Sequence, residues 1–175
     1  FSGVEQHVVS EKLLEHMGEI SGILFFLLGA MTIVELIDAH DGFDLISSNI
    51  NTKSKRKLLW IITGIAFFLS AVLDNLTTTI VLISLMSKLI KDSKDKLYFA
   101  AMIVIAANAG GAWSPIGDVT TTMLWIGGQI TSITVIKEVF LSSIVSVLIP
   151  LLAIGFQLKG TIETEVQTSQ SVSSK

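Results

Sequence analysis

A polar stretch at residues 108–122 interrupts two strongly apolar runs and reads NAGGAWSPIGDVTTT. It contains three glycines, a proline, an aspartate and three consecutive threonines. In a lipid bilayer, irregular backbone is tolerated only where it is buried in protein or lines a water-filled cavity. An aspartate at that depth is a functional-site candidate by default. We therefore predict a discontinuous helix over residues 97–127, with a polar site around Asp118.

The composition agrees with a protein that lies in a membrane. Half of the 175 residues are hydrophobic and only 15% are charged, whereas soluble domains are about 25% charged. The net charge is −3, and no basic stretch is interleaved with aromatic residues, so we expect no nucleic-acid partner. The absence of cysteine excludes disulfides and thiolate metal sites. No nucleophile–base set, cofactor motif or metal-ligand spacing is visible, so we expect neither an enzyme nor a cofactor.

A second apolar segment, residues 58–90, is too long for one straight span. Its 33 residues would make a helix about 50 Å long, while the hydrocarbon core is about 30 Å thick. Stretches rich in lysine and arginine flank both ends, at 53–57 and 88–96, and such stretches mark the cytoplasmic side. The pattern favours a re-entrant helical hairpin whose tip is the polar cluster 74–79. A single long tilted helix with Asp74 buried against a partner is the alternative.

The rest of the chain is assigned from its apolar runs and its charges. Besides the hairpin and the broken helix we assign two full spans. With these, the charges of all the loops agree with the predicted topology. The segments are a polar N-terminal segment at 1–17, a span at 18–38, an interfacial arm at 39–57, a span at 133–158 and a disordered tail or linker at 160–175.

The two polar clusters offer the ligands that a hard cation prefers. Each supplies one carboxylate, and amide, hydroxyl and free helix-end carbonyl oxygens surround it. Two empty carboxylates in a low dielectric would repel, so we expect one to hold a proton that an arriving cation displaces. For Asp118 the plainer interpretation is a helix N-cap, and the two roles are compatible. The candidate ligands are Asp74, Asn75 and Thr77–Thr79 in one cluster and Asn108, Ser114, Asp118 and Thr120–Thr122 in the other.

Residues 73–79 (LDNLTTT) and 108–121 (NAGGAWSPIGDVTT) resemble the signatures of the NhaD-type sodium/proton antiporters of the ion transporter superfamily. Residues 28–35 (LGAMTIVE) also resemble the span before the hairpin in that family. The resemblance covers residues 18–158. By motif position it assigns ion binding and proton coupling to Asp74, Asn75, Asn108, Asp118, Thr120 and Thr121, with Thr77, Thr78 and Ser114 as weaker matches.

The resemblance implies an all-α membrane protein and exchange of sodium or lithium for protons. It implies an inverted-repeat fold in which each half has one re-entrant hairpin and one discontinuous helix. Only one of each is present here, so we expect the first repeat of a truncated protein, which needs a second repeat or a homodimer partner. No metal is expected beyond the transported cation. We place the protein in a bacterial plasma membrane or an organelle envelope as a multi-pass protein.

Two other functions remain open at this point. One is an anion permease of the same superfamily for arsenite or dicarboxylate, although two aspartates in one site disfavour an anion. The other is a membrane subunit that transports nothing.

Overall fold

A computed structural model describes residues 3–40, 52, 54–158 and 160–162. Within this part of the chain every regular element is a helix, and the one β-contact is an isolated bridge between Ser54 and Thr161. The predicted all-α class is thereby confirmed. The helices are α1 (Gly3–Ala39), α2 (Lys55–Ser70), α3 (Asn75–Leu89), α4 (Ser93–Ala112), α5 (Val119–Ile126) and α6 (Ser132–Gln157).

Each helix after the first begins at a side chain that accepts hydrogen bonds from the free backbone amides of its first turn. Such N-caps are favoured because those amides have no partner inside the helix. Polar residues in an apolar chain therefore fix where helices begin. The N-caps of α2 to α6 are Ser54, Asp74, Asp92, Asp118 and Thr131.

Helix α4 lies at the centre and packs against α2, α3 and α6. Its side chains Phe99, Met102 and Ile103 are fully buried. They face a core that α2 and α3 complete with residues such as Leu59 and Leu82, both also fully buried. Three apolar helices around one apolar helix account for the burial of the middle of the chain.

Helix α1 differs because its apolar side chains remain largely exposed while it contacts α5. Its stretch His7–Ile37 and helix α6 (Ser132–Gln157) are long and apolar enough to cross a bilayer by length and composition. The polar residues of the N-terminal segment that the structure describes continue into the first span without a break, in one helix of 37 residues. Glu35 is exposed on α1.

The predicted hairpin segment consists of α2, with 16 residues, and α3, with 15 residues, joined by residues 71–74. Helices of this length measure about 24 and 22 Å, which is less than the hydrocarbon thickness of about 30 Å. The polar residues 75–79, predicted to form the tip, instead make the first turn of α3 because Asp74 caps that helix. A re-entrant course through a membrane stays a prediction.

The helix break at 113–118 is shorter than the predicted polar stretch 108–122. Residues 108–112 still belong to α4, and the threonines 120–122 are already in α5 because Asp118 caps it. The prediction of an interfacial arm falls mostly on residues 41–51 and 53, and that of a disordered tail mostly on 163–175. Both sets lie outside the described residues.

Three glycines let the break lie directly on the end of α2. A Cβ on Gly110 would overlap the backbone carbonyl of Phe67, and one on Gly117 would overlap that of Ser70. A Cβ on Gly111 would meet the carbonyl of Gly117 across the break itself. Backbones approach this closely only where side chains are absent. The glycines thus place the segment between α4 and α5 against the connection between α2 and α3.

Two serines form hydrogen bonds across the same contact, one donated from each side. Ser70 on α2 donates from Oγ to the Ala107 carbonyl at 2.5 Å, and Ser114 in the break donates from Oγ to the Ala71 carbonyl at 2.5 Å. Both serines are buried. Hydrogen bonds between segments satisfy backbone carbonyls that a helix end or a break leaves free.

Candidate functional site

The two predicted polar clusters meet at a single amide side chain. Asn75, the first residue of α3, donates from Nδ2 to Asn108 Oδ1 at 3.0 Å and to Asp118 Oδ2 at 3.1 Å. Asn108 lies one turn before the end of α4, and Asp118 precedes α5. Three segments that are far apart in sequence therefore contribute polar atoms to one point.

Asp118 divides its two oxygens between two tasks. Oδ1 accepts from the backbone amides of Thr120 at 2.8 Å and Thr121 at 3.4 Å, which caps α5. Oδ2 accepts from Asn75. Capping and participation in a polar cluster therefore coexist in this carboxylate, and its half-buried position leaves it accessible.

Asp74 caps α3 in the same way. Its carboxylate accepts from the backbone amide of Thr77 at 2.8 Å and from Thr77 Oγ1 at 2.7 Å. The positive end of a helix dipole favours an anion at each of these positions. Asp74 is adjacent to Asn75, so the two aspartates are linked through the residue that bonds to Asp118. We refer to Asp74, Asn75, Asn108 and Asp118 together as the polar crossing.

A cavity of about 440 Å³ opens beside the polar crossing. Asp74, Asn75 and Thr122 supply its polar atoms. The opposite wall is apolar and comes from α1, with Phe26, Ala30 and Met31 among its lining residues. A mostly apolar cavity with a few convergent polar groups is typical of a site for a small ligand.

The structure places the other predicted site residues in different roles. Ser114 is engaged by the Ala71 carbonyl, and Thr120 and Thr121 contact Asp118 through their backbone amides. Thr78 is fully buried, and within the described residues its Oγ1 has no hydrogen-bond partner. Trp113, in the segment between α4 and α5, stacks on Phe67 with ring centroids 6.0 Å apart.

Two residues outside the set that the resemblance assigns also have contacts at the site. Thr122 lines the cavity and donates from Oγ1 to the Asp118 carbonyl at 2.9 Å. Ser70 holds the break in place, and its only signal in the sequence is a hydroxyl four residues before Asp74 at the end of an apolar run. Among the described residues, no group of three or more His, Cys, Asp and Glu side chains is arranged to hold a metal ion.

Comparison with known proteins identifies the family. The profile of the citrate transporter family matches residues 6–168. The chain belongs to the citrate transporter family. Its members are transporters, so the chain is part of an integral membrane protein. No solved structure matches this chain.

Curated relatives of this chain are named as antiporters. Sodium/proton antiporter 1 of Arabidopsis thaliana is 56% identical over 139 residues, which is 79% of this chain and 24% of that protein. Sodium/proton antiporter 2 of the same plant is 54% identical over 82% of this chain and 34% of its own length. The Na+/H+ antiporter NhaD of Vibrio cholerae is 33% identical over 91% of this chain and 34% of its own length.

These relatives confirm the resemblance to NhaD-type antiporters that residues 73–79 and 108–121 predicted. The chain spans between a quarter and a third of the length of the relatives described here.

Substituting Asn75 tests the polar crossing directly. We expect Asn75→Ala to weaken the apparent cation affinity about tenfold, or about 1.4 kcal/mol, because it removes the side-chain amide that holds Asn108 Oδ1 and Asp118 Oδ2 together. Protein yield and helicity should stay unchanged, since Asp74 still caps α3. The measurement is the apparent cation affinity in proteoliposomes. Unchanged affinity in Asn75→Ala would place the ion elsewhere.

Proposed function

We propose that this chain forms part of a secondary transporter that exchanges sodium or lithium for protons across a membrane. One observation carries the proposal: each of the two helix starts near the polar crossing is already occupied by a carboxylate of the chain itself. The printed names of the relatives, sodium/proton antiporter and Na+/H+ antiporter, support the same activity.

The two capped helix starts favour a cation over an anion as the substrate. A helix N-terminus is a ready anion site because its amides are free and its dipole is positive. Here the amides of Thr77, Thr120 and Thr121 are bonded to Asp74 and Asp118. An anionic substrate would compete with these carboxylates and be repelled by them, whereas a cation would be attracted.

Citrate transport is the second candidate, because the matching family is described as citrate transporters. Citrate needs several hydrogen-bond donors or cations around its carboxylates. The polar crossing offers the Asn75 amide as a donor, together with two carboxylates. A cation alone, or a cation that accompanies an anion bound elsewhere, fits this set better.

The exchange follows from competition for the same oxygens. In the proton-bound state a carboxylate of the polar crossing carries the proton, and in the cation-bound state the same oxygens face the cation. A sodium ion would be held by Asp118 Oδ2 and Asn108 Oδ1, and Asn75 would turn to present its carbonyl oxygen in place of its amide nitrogen. The proton then leaves as the cation arrives, so no separate coupling device is required.

The remaining architecture is proposed on the same basis. In this proposal α2 and α3 form a re-entrant hairpin, α4 and α5 form a discontinuous helix, and the unit is one half of an inverted repeat. A second repeat or a homodimer partner would complete the ion site, with the protein passing through the membrane several times. A bacterial plasma membrane and an organelle envelope both agree with relatives from Vibrio and Arabidopsis.

Reconstitution of the protein into sealed vesicles tests the function. Sodium or lithium added outside a vesicle with an acidic interior should release protons, detected by an internal pH dye, and citrate alone should not. Potassium is the control for a non-selective leak. Uptake of labelled citrate without sodium-dependent proton movement would replace the antiporter by the anion permease. Movement of neither would favour a subunit that transports nothing.

A further inference from the structure

A groove runs between α2 and α6, and no residue of the polar crossing lines it. Its volume is about 250 Å³, and its walls include Trp60, Gly64 and Phe68 of α2 and Leu148 and Leu151 of α6. We call it the α2–α6 groove. From residue 60 to residue 68 it extends about 12 Å along the helix axis, a length that suits part of one acyl chain. Nothing lies within 4 Å of a Cβ placed on Gly64, so the groove is open there.

One polar atom in this apolar groove has no partner. Thr63 lines the groove, its side chain is 1% exposed, and its Oγ1 makes no hydrogen bond within the described residues. Because this oxygen is fully buried, a ligand in the groove meets an apolar wall at this position, which suits an acyl chain.

The end of the groove near the start of α2 is basic. Arg56 lies over the ring of Phe156, with Cζ 5.9 Å from the centroid, and Lys57 is exposed beside it. Among the described residues no carboxylate pairs with Arg56 or Lys57, whereas the neighbouring Lys55 bonds to Asp95 at 2.5 Å. Two cations at the mouth of an apolar groove between helices are complementary to an anionic head group.

Aromatic residues mark the same end as an interfacial region. Trp60 is 42% exposed and lies one turn from Arg56. Tyr98 donates from its hydroxyl to Gln157 Oε1 at the end of α6. Trp and Tyr are enriched where the hydrocarbon core meets the head groups.

We propose that the α2–α6 groove binds one anionic phospholipid. Its phosphate contacts Arg56 and Lys57, and an acyl chain lies along Gly64 and Phe68. The site is separate from the polar crossing, so it does not depend on the proposed exchange activity.

The experiment compares lipid retention by the full protein and its variants. The purified protein is mixed with phosphatidylglycerol or with phosphatidylcholine of the same acyl chains, and bound lipid is counted by native mass spectrometry. We expect one phosphatidylglycerol to be retained in preference to phosphatidylcholine. Each basic side chain beside an anionic lipid is worth about fivefold in affinity, so the double variant Arg56→Gln, Lys57→Gln should bind about 25-fold more weakly.

Two further variants separate the site from general charge effects. The pair Lys94→Gln, Lys96→Gln removes two charges near the start of α4 from residues that do not line the groove, and it should leave retention unchanged. Gly64→Leu fills the groove without touching a charge and should also abolish retention. Equal binding of the two lipids, or equal loss in the lysine control pair, would overturn the proposal.

Photo-crosslinking identifies the occupant. A benzophenone amino acid in place of Phe68, an exposed aromatic residue on the wall of the groove, in protein embedded in vesicles of phosphatidylglycerol, should label lipid. Labelling of another part of the protein instead would show that the groove is a contact within a longer chain or an oligomer, and this too would overturn the proposal.

Discussion

Asp118→Asn should abolish sodium-dependent proton movement while leaving the fold intact. Asparagine caps helices as well as aspartate does, so α5 keeps its start through hydrogen bonds to Thr120 and Thr121. The loss of the negative charge should weaken cation binding. Two unit charges about 4 Å apart at an effective dielectric constant of about 20 attract by about 4 kcal/mol, so we expect at least about a 100-fold loss in apparent cation affinity. The measurement is the proton-release assay in proteoliposomes across a range of sodium concentrations.

Asp92→Asn is the matched control for this substitution. Asp92 caps α4 through the amides of Lys94 and Asp95, as Asp118 caps α5, but it lies outside the polar crossing. The amide of Asp95 holds the pKa of Asp92 below its ordinary value, which indicates that its cap is formed in the charged state. We expect normal exchange in Asp92→Asn. If Asp118→Asn also exchanged normally, the carboxylate would be a cap and nothing more.

Asp74→Asn separates a shared site from a single-carboxylate site. Asparagine preserves the cap of α3, so any loss again reports on charge. If Asp74 and Asp118 share one proton and one cation, both substitutions should stop exchange. If Asp74→Asn retains exchange at a lower apparent affinity, Asp118 alone carries the coupled proton.

The helices and the membrane character could be predicted from the sequence because apolar runs and charged flanks are local signals. The positions of helix starts were less accurate for one reason. The composition predicts Asp74 at the start of an irregular stretch and Asp118 inside one, whereas N-capping lets a helix begin at the very next residue. Polar side chains at 75–79 and 120–122 thus belong to helices, although their composition is typical of loops.

The candidate residues were predictable, but their partners were not. Asn75, Asn108 and Asp118 stand out as polar groups in apolar segments, and the structure brings them together. Which atom bonds to which depends on how α4 crosses the end of α2, and this depends on contacts between residues about 40 positions apart. The wall that α1 adds to the cavity is equally non-local, since no feature of Phe26 or Met31 in the sequence indicates what they face.

Gly110→Ala should prevent the close contact between α4 and the end of α2 from forming. The new Cβ would overlap the Phe67 carbonyl, a backbone group that cannot turn away as a side chain can. Overpacking in a well-packed interior typically costs about 1–3 kcal/mol, and we expect the upper end or more. The break would then move off α2, and the Ser70 and Ser114 hydrogen bonds would lengthen. The measurement is the midpoint of thermal unfolding in detergent.

Gly64→Ala is the control, since it places the same methyl group in a helix where nothing lies within 4 Å. Alanine is the better helix former by about 0.5–1 kcal/mol, so this variant should be as stable as the parent or slightly more stable. Gly117→Ala should behave like Gly110→Ala, because its Cβ would overlap the Ser70 carbonyl. A parent-like unfolding midpoint in both Gly110→Ala and Gly117→Ala would mean that the crossing is looser than described. The hydrogen bonds from Asn75 to Asn108 and Asp118 would then not be fixed by backbone contact, and the ion site would have to be held by another part of the protein.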